Sequence, residues 1–246
     1  SSDLMSKRST EDSSTQQGLQ VAKMAAMSKL AAGVAHEINN PCGVLLMKLK
    51  FLLSIAEEER LSSRAIATLD VAIQQTERIE TIVESLVHFS RPLQGMPGPV
   101  DVNEAIRAAI TQLQLPATVT VRQNLADPLP VVVADPAQIQ QVFTHIMDNA
   151  VDAMPDGGHL TILSRREVDA DQVVIEIDDT GSGIPVDFVD RVFDPFFTTK
   201  AVGSGTGLGL TISYGIIQRA GGRVEVESER GKGTRVRVIV PASASR

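Results

Sequence analysis

A short segment rich in proline and glycine divides the chain into two parts with different hydrophobic periodicity. Residues 91–100 read RPLQGMPGPV, and their three prolines and two glycines disfavour a long helix or strand. Before this segment apolar residues recur every three or four positions, whereas after it helical patterns and short strand patterns follow one another. The sequence therefore predicts a helical domain over residues 19–92, a linker over 93–100, and a mixed domain over 101–246.

The first domain has the pattern of two long amphipathic helices. One is predicted from about Leu19 to Ile55 and the other from about Ser62 to Phe89, joined by a charged turn, so they form a helical hairpin. A hairpin of this length cannot bury both apolar stripes by itself, and we expect a homodimer in which two hairpins form a four-helix bundle. Residues 1–18 are polar and aperiodic, which predicts a disordered lead-in or a junction with upstream sequence. The stripes consist of Leu30, Val34, Ile38, Leu45, Leu49 and Leu52, and of Ile66, Leu69, Ile73, Ile79, Val83 and Leu86.

The second domain mixes helices and strands without strict βαβ repetition. This order favours an α+β fold, an α/β sandwich with helices on one face of a mixed sheet. Asp135-Pro136 predicts a helix start, with an N-cap aspartate and proline at the first helical position. Helices are predicted near Val102–Gln114, Pro136–Met154 and Leu208–Ala220, and strands at Val119–Gln123, Val131–Val133, His159–Glu167, Gln172–Asp178, Arg223–Ser228 and Thr234–Val240.

Composition and charge exclude several functions. The chain of 246 residues has a net charge of −7, nearly all of it after residue 95, so we expect no nucleic-acid binding and no membrane contact from this segment. No apolar run reaches membrane-spanning length and no signal peptide is visible, so the segment is predicted to be cytoplasmic. If the parent protein is tethered to a membrane, we expect the tether in a missing N-terminal region. The single cysteine, Cys42, excludes an internal disulfide; it is interpreted as bundle core, with a redox-sensing thiol as the alternative.

A first group of polar residues lies on the first predicted helix, in the sequence AHEINNP. A lone helical histidine is usually solvated, but Asn40 lies four residues after His36 on the same face, and the adjacent Glu37 can orient the imidazole. Pro41 costs a helix interior about 3 kcal/mol. A helix that tolerates this cost beside such a cluster is typical of a functional site, so His36 is a candidate nucleophile.

A second group is spread over three segments of the second domain. Asn149 lies on a predicted helix, Asp179-Thr180-Gly181-Ser182-Gly183 follows a strand, and the glycine-rich segment 203–210 opens a helix. Singly these are compatible with a local hydrogen bond, an ordinary turn and a loop; together they can hold a flat base, a cation and phosphates. The segment matches neither the P-loop pattern nor Gly-x-Gly-x-x-Gly.

In this order, AHEINNP, QQVFTHIMDNAVDAMP, DDTGSGIP, FDPFFTTK and GSGTGLGL resemble the H, N, G1, F and G2 boxes of sensor histidine kinases. The resemblance covers roughly residues 20–240. It implies a dimerisation and histidine-phosphotransfer hairpin followed by an ATP-binding domain of the gyrase, chaperone and kinase type. The implied cofactors are ATP and Mg²⁺, and the implied partner is the receiver domain of a cognate response regulator.

Carried over by position, the resemblance assigns a role to each candidate residue. It implies His36 as phosphoacceptor, Glu37 as its acid/base partner, and Asn40 as the residue that orients water for dephosphorylation of the regulator. Asn149 would hold Mg²⁺ and Asp179 would bind the adenine amine. The other nucleotide-binding candidates are Gly181, Gly183, Lys200, Gly205, Thr206, Gly207 and Leu208.

Two features leave alternatives open. His145 stands where the N box usually carries asparagine, on the face of Asn149. Phe193, Phe196 and Phe197 are interpreted as an anchor for a mobile lid near 198–206, with a plain core patch as the alternative, and Lys200 as a phosphate contact or a solvated lysine. Functionally, a catalytically weak dimeric scaffold that binds ATP and a regulator is the alternative to a kinase, and a mechanical ATPase of the same fold is a third hypothesis.

Overall fold

The computed structural model describes residues 38–56, 61–90, 96–200 and 205–243. The chain divides into two compact units, Ser1–Pro92 and Leu93–Arg246. His36, Glu37, the lead-in 1–18 and residues 201–204 of the glycine-rich segment lie outside the described residues.

The described part of the first unit consists of two helices, α1 (38–54) and α2 (Ser63–Ser90). Cys42 and Ile73 are buried, and Lys50 of α1 forms an ion pair of 2.8 Å with Glu77 of α2. Several large apolar side chains are nevertheless exposed within this unit, so the two helices leave part of their apolar surface uncovered. These are Val44, Leu45, Met47, Phe51, Leu52, Val71 and Ile79.

The second unit contains seven strands and four helices among its described residues. The helices α3 and α4 begin at aspartate N-caps: Asp101 accepts from two backbone amides and Asp135 from one, and Pro136 occupies the first turn of α4. In chain order the elements are β1 (Gly98–Val100), α3 (Val102–Gln112), β2 (Val119–Leu125), β3 (Val132–Ala134), α4 (Pro136–Asp152), β4 (Gly158–Glu167), β5 (Gln172–Asp179), α5 (Val186–Val189), α6 (Gly209–Arg219), β6 (Arg223–Glu229) and β7 (Gly233–Pro241).

Five of the strands form one mixed sheet in the order β2-β4-β5-β7-β6. The pair β2 and β4 is parallel and the other pairs are antiparallel. The helices α4 and α6 pack on the inner face of this sheet, and α3 packs on α4. Ile139, Val142, Phe143 and Met147 of α4 are fully buried there. The predicted α+β fold, a helical hairpin followed by an α/β sandwich, is confirmed.

The other face of the sheet carries a ladder of charged side chains. Arg237 of β7 lies between Glu176 of β5 and Glu225 of β6 in the strand register, and Arg235 binds both oxygens of Asp178 at 2.8 Å. Successive side chains of a strand point to opposite faces of the sheet. The apolar residues between these charged ones therefore face the helices. Among the described residues of the second unit, the helices therefore cover the apolar face of the sheet.

Two short elements were missed by the sequence interpretation. The last three residues of the predicted linker, Gly98–Val100, form β1, which pairs antiparallel with β3. The proline and glycine in this segment suggested a linker. The backbone groups of these three residues nevertheless pair with those of β3, which makes the segment a strand. Residues 98–100 of the predicted linker 93–100 are thus a strand that belongs to the second unit. The four-residue helix α5 was also not predicted.

Among the helices that the structure describes, none combines the length and hydropathy that crossing a membrane requires.

Candidate functional site

A cavity of about 650 Å³ opens on the helical side of the sheet, between α4, β5 and the start of α6. Its floor is apolar, with Ile177, Val226 and Val236 from three neighbouring strands. Polar groups converge on this floor from α4, from the turn after β5, and from the segments on either side of residues 201–204. They include His145, Asp148, Asn149, Asp152, Asp179, Thr198, Thr199, Lys200, Thr206 and Thr234.

Asp179 is directed into the cavity by strand geometry. Along β5 the inner positions are Val173, Ile175 and Ile177, so Asp179 continues the inner face while Asp178 pairs with Arg235 outside. Its Oδ1 accepts from the backbone amides of Gly181 at 2.8 Å and Thr234 at 3.2 Å, and Oδ2 takes part in neither bond. Asp179 therefore lies in the cavity wall, and its role toward a ligand stays a prediction.

Burial raises the pKa of Asp179 above the ordinary value for aspartate. The two backbone hydrogen bonds oppose this shift, and the neighbouring charge of Asp178 adds to it. A carboxylate that is costly to ionise gains from a ligand group that donates a hydrogen bond to it. This is the electrostatic setting in which an exocyclic amine binds.

The two glycines after Asp179 are required by the backbone around them. A Cβ on Gly181 would lie 2.5 Å from the carbonyl oxygen of Ala153, and one on Gly183 would lie 2.1 Å from that of Glu229. Gly183 also has φ +65°, a conformation that favours glycine. Gly183 lines the cavity, whereas Gly181 supports it from behind through its bond to Asp179.

Asn149 lines the cavity from the last turns of α4, with an ammonium group bound to it. Its Oδ1 accepts from Lys200 Nζ at 2.9 Å, and the same ammonium contacts Asp152 Oδ2 at 2.5 Å. Burial raises the pKa of Asp148 beside them; the negative charge of Asp152 adds to this shift, and Lys200 opposes it. Lys200 is therefore not a freely solvated lysine, because its ammonium connects residues 193–200 to α4.

The described part of the glycine-rich segment closes the cavity at the first turn of α6. Gly205, Thr206, Gly207, Gly209 and Leu210 all line it, while Leu208 is fully buried beneath. The first amides of a helix have no intrahelical acceptor, so this end of α6 presents free donors and a positive dipole toward the cavity. That arrangement suits an anionic ligand.

The backbone at Gly207 is hydrogen-bonded to residues 193–200, the F box of the sequence analysis, which is called the phenylalanine box from here on. The Phe196 amide donates to the Gly207 carbonyl at 3.0 Å, and Gly207 has φ +66° with its would-be Cβ 2.5 Å from the Phe196 carbonyl carbon. Phe196 itself has φ +65° and a half-exposed side chain. Of the three predicted anchors, Phe196 therefore acts through its backbone rather than its ring.

The other two phenylalanines are packed through their rings. Phe193 lies 5.0 Å from the ring of Tyr214 on α6, and Phe197 makes an edge-on contact of 5.6 Å with Phe188 near α5. The guanidinium of Arg191 stacks on Phe197 at 4.6 Å. These contacts hold the segment that leads to Lys200, as an anchor for the adjoining residues would.

His145 lies between α4 and α6 at the inner end of the cavity. Its Nδ1 is 3.5 Å from Ser213 Oγ, and its ring faces Gly209, where a Cβ would lie 3.6 Å from it. The imidazole thus packs against the turn that presents amides to the cavity.

Sequence reasoning missed Asp152 and Asp148 as members of the site. Asp152 lies three residues after Asn149, and Asp148 lies four before Asp152; because positions three and four apart on a helix are neighbours, the helical spacing could have found them. The contact of Asp152 with Lys200, 48 residues away, had no sequence signal. Among the described residues there is no cluster of three or more histidine, cysteine or acidic side chains arranged to hold a metal.

In the first unit only part of the predicted site is described. Asn40 is exposed on α1, and Pro41 lies within the helical residues 38–54. Cys42 is buried, as the bundle-core interpretation predicts. The positions of His36 and Glu37 relative to Asn40 remain predictions from the helical spacing.

The second unit has a mixed sheet with helices on one face and, between them, a cavity lined in part by glycines. These features define a class of protein: an ATPase domain of the sandwich type, here preceded by a helical hairpin. A sequence model of this class, described as the histidine kinase-, DNA gyrase B- and HSP90-like ATPase, matches residues 134–244. A model of the His Kinase A phospho-acceptor domain matches residues 26–95. The chain belongs to the sensor histidine kinases of two-component systems.

Individual relatives agree with this assignment. The chain is 36% identical to the sensor kinase CckA of Brucella abortus over 90% of its own length and 25% of that protein. It is 31% identical to the sensor histidine kinase ZraS of Escherichia coli over 91% of its length and 47% of that protein. It thus spans less than half of these relatives. A solved structure of full-length ShkA shares the fold, with a TM-score of 0.66 at 24% identity, covering 89% of this chain and 47% of that one.

Proposed function

We propose that this chain is the catalytic core of a sensor histidine kinase: it binds ATP, transfers the γ-phosphoryl group to His36, and passes it to an aspartate of a response regulator. The single observation that carries the proposal is the cavity in which a half-buried carboxylate, an amide oxygen and the amino end of α6 converge. Family membership supplies the reaction, because the hairpin and the ATPase domain occur together in one chain.

The cavity accounts for each part of the nucleotide. The Asp179 carboxylate accepts from the adenine amine, and the apolar floor packs against the base. The amides at Gly205, Thr206 and Gly207, with the first turn of α6, face the phosphates. Gly183 lines this surface, and Gly181 and Leu208 support it from behind, through backbone approach and burial.

The residues around Asn149 fit a magnesium ion. Mg²⁺ prefers oxygen ligands and is usually held by one or two protein oxygens together with substrate phosphates. Asn149 offers an amide oxygen that already attracts a cation, the Lys200 ammonium, with two carboxylates beside it. When bound, Mg²⁺ would neutralise phosphate charge; Asn149 would hold it and Lys200 would contact a phosphate oxygen.

Transfer itself is assigned to the H box. Glu37 orients His36 and accepts its proton as the imidazole nitrogen attacks the γ-phosphorus, and the bond to the bridging oxygen of ADP breaks in line. Asn40 orients the water that hydrolyses the regulator's aspartyl phosphate, which makes the enzyme bifunctional. Asn40→Ala retaining full phosphatase activity toward the cognate regulator would contradict this role.

Two copies are proposed to act together. The apolar side chains exposed on α1, including Leu45, Phe51 and Leu52, leave the hairpin with a surface that a second hairpin would cover. Pairing of hairpins through this surface gives the four-helix bundle and presents His36 to an ATP-binding domain.

Incubation of the protein with γ-labelled ATP tests the proposal. We expect an acid-labile, base-stable label on the protein that is absent from His36→Gln. A matched variant, Gln74→His, alters an exposed position of α2 and should label like the unaltered protein. ATP binding without label would instead support the dimeric scaffold, and hydrolysis without label would support a mechanical ATPase.

A further inference from the structure

The ammonium of Lys200 occupies the oxygen to which the proposed function assigns a divalent cation. It donates to Asn149 Oδ1 at 2.9 Å and contacts Asp152 Oδ2 at 2.5 Å. A magnesium ion binds oxygen at about 2.1 Å, so the two cations on one amide oxygen would lie no more than about 5 Å apart and would repel each other. Lys200 and the metal therefore cannot both use this oxygen at full strength.

Asp152 is the group that keeps the ammonium there. An amide oxygen alone holds an ammonium weakly in water, whereas a carboxylate on the same side makes a charge-assisted bond. Asp152 ends α4, three residues after Asn149, which places both oxygens on one side of the helix. The side chain of Lys200 is 28% exposed and that of Asp152 is 54% exposed, so solvent screens the contact in part.

The stem of Lys200 also lies against the glycine-rich segment. A Cβ on Gly205 would lie 3.2 Å from Lys200 Cδ and 3.3 Å from Thr198 Oγ1. The lysine thus connects three elements of the cavity wall: α4, the phenylalanine-box segment and Gly205.

We propose that Asp152 is a positioning residue that holds the Lys200 ammonium on Asn149 Oδ1, so that Lys200 competes with the divalent cation for this oxygen. The inference rests on the proposed function, since it concerns the metal that accompanies ATP. With the metal bound, the ammonium would leave Asn149 and would be free to contact a phosphate oxygen. Lys200 therefore serves as an exchangeable cation on the oxygen that the metal uses.

A double-mutant cycle with Mn²⁺ as the metal probe tests this competition. Binding of a fluorescent trinitrophenyl analogue of ATP, at fixed concentration, is followed as Mn²⁺ is added to the unaltered chain, Lys200→Met, Asp152→Asn and the double variant. We expect Lys200→Met to lower the half-saturating Mn²⁺ concentration by about threefold or more, since a competing charge-assisted bond is removed. Lys232→Met removes an equally positive lysine that is exposed and does not line the cavity, and should leave the midpoint unchanged.

The effect of Asp152→Asn separates positioning from simple attraction of the metal. With Met at position 200, loss of a nearby negative charge should raise the Mn²⁺ midpoint. With Lys200 present, Asp152→Asn also weakens the binding of the competing ammonium to Asn149. The rise in the Mn²⁺ midpoint should therefore be about threefold smaller, or the midpoint should fall. Additive effects of the two substitutions on the midpoint would overturn the proposal.

Trypsin provides a second readout that needs no nucleotide, because it cleaves after lysine. Release of the Lys200 ammonium in Asp152→Asn should speed cleavage of the Lys200–Ala201 bond several-fold. Glu229→Gln, which removes the partner of Lys232, is the matched control and should speed cleavage only after Lys232. Equal rates at Lys200 in Asp152→Asn and the unaltered chain would overturn the Asp152 contact. Failure of the unaltered chain to bind the ATP analogue would instead overturn the proposed function.

Discussion

At the scale of single residues, burial and strand alternation decide what neighbouring identical side chains do. Asp178 and Asp179 are adjacent, yet one pairs with Arg235 on the charged outer face and the other lies in the cavity wall. The outer carboxylate is compensated by a bidentate guanidinium. The inner one is compensated only by backbone amides, so it is the one that gains from a ligand that donates.

The first prediction concerns Asp179→Asn. The amide oxygen can still accept from Gly181 and Thr234, but the charge for the adenine amine is lost, so we expect nucleotide affinity to fall about tenfold or more. Asp178→Asn removes an outer charge of the same kind and should change affinity much less. Titration of each variant with the fluorescent ATP analogue measures this, and equal losses would contradict the assignment of Asp179.

The same substitution has a predicted pH dependence. Because burial raises the pKa of Asp179 in the folded state, its contribution to stability is greatest when the carboxyl is protonated and is lost as pH rises through that raised value. Asp179→Asn cannot lose a proton. We therefore expect its free energy of unfolding, relative to the unaltered chain, to increase from acidic to neutral pH in denaturant titrations. If the two free energies of unfolding differ by the same amount at every pH, burial does not penalise ionisation of Asp179 in the folded state.

At the scale of elements, turns after strands build the cavity by letting backbones approach closely. The turn after β5 passes within contact distance of both α4 and the β6–β7 turn, through Gly181 and Gly183. At the other wall, Gly207 and Phe196 lock the start of α6 to the phenylalanine box. The glycines that line the cavity are needed for this packing as well as for ligand approach.

Two glycines with similar backbone angles allow a matched prediction. Gly183 has φ +65° and no room for a Cβ, whereas Gly231 has φ +79° and nothing within 4 Å of its would-be Cβ. Gly231→Ala should cost about 1 kcal/mol of unfolding free energy from backbone strain alone. Gly183→Ala should cost at least about 2 kcal/mol more, because the Glu229 carbonyl must move. Equal costs in chemical denaturation would show that this close approach is not needed.

At the scale of the whole molecule, the two units bury their apolar surface differently. The second unit has a continuous core between its sheet and helices, with many fully buried residues such as Phe143, Leu160 and Ile217. The hairpin buries Cys42 and Ile73 but exposes a row of large apolar side chains on α1. Among the described residues, this row on the hairpin is the apolar surface that the proposed dimer would cover.

Substitution on that row should separate the proposed dimer. Leu45→Lys with Leu52→Lys places two charges on side chains that are 53% and 43% exposed in one chain, so the monomer should tolerate them. We expect light scattering after gel filtration to give a monomer mass and the label on His36 to fall sharply. Gln74→Lys, at an exposed polar position of α2, should remain dimeric. A dimer that persists in the double variant would contradict pairing through α1.

Hydrophobic period, helix caps and motif order determined the two-domain organisation, the long elements and most of the candidate site. Asp135-Pro136 predicted the start of α4, and alternation in QVVIEIDD predicted β5, because these signals are local and depend on neighbouring residues alone. The same sequence could not reveal β1, whose three residues form a strand only because β3 lies beside them. Nor could it reveal the contact of Lys200 with Asp152 and Asn149. Contacts between residues so far apart in the chain have no period and no spacing, so only the packing of α4 against the cavity wall decided them.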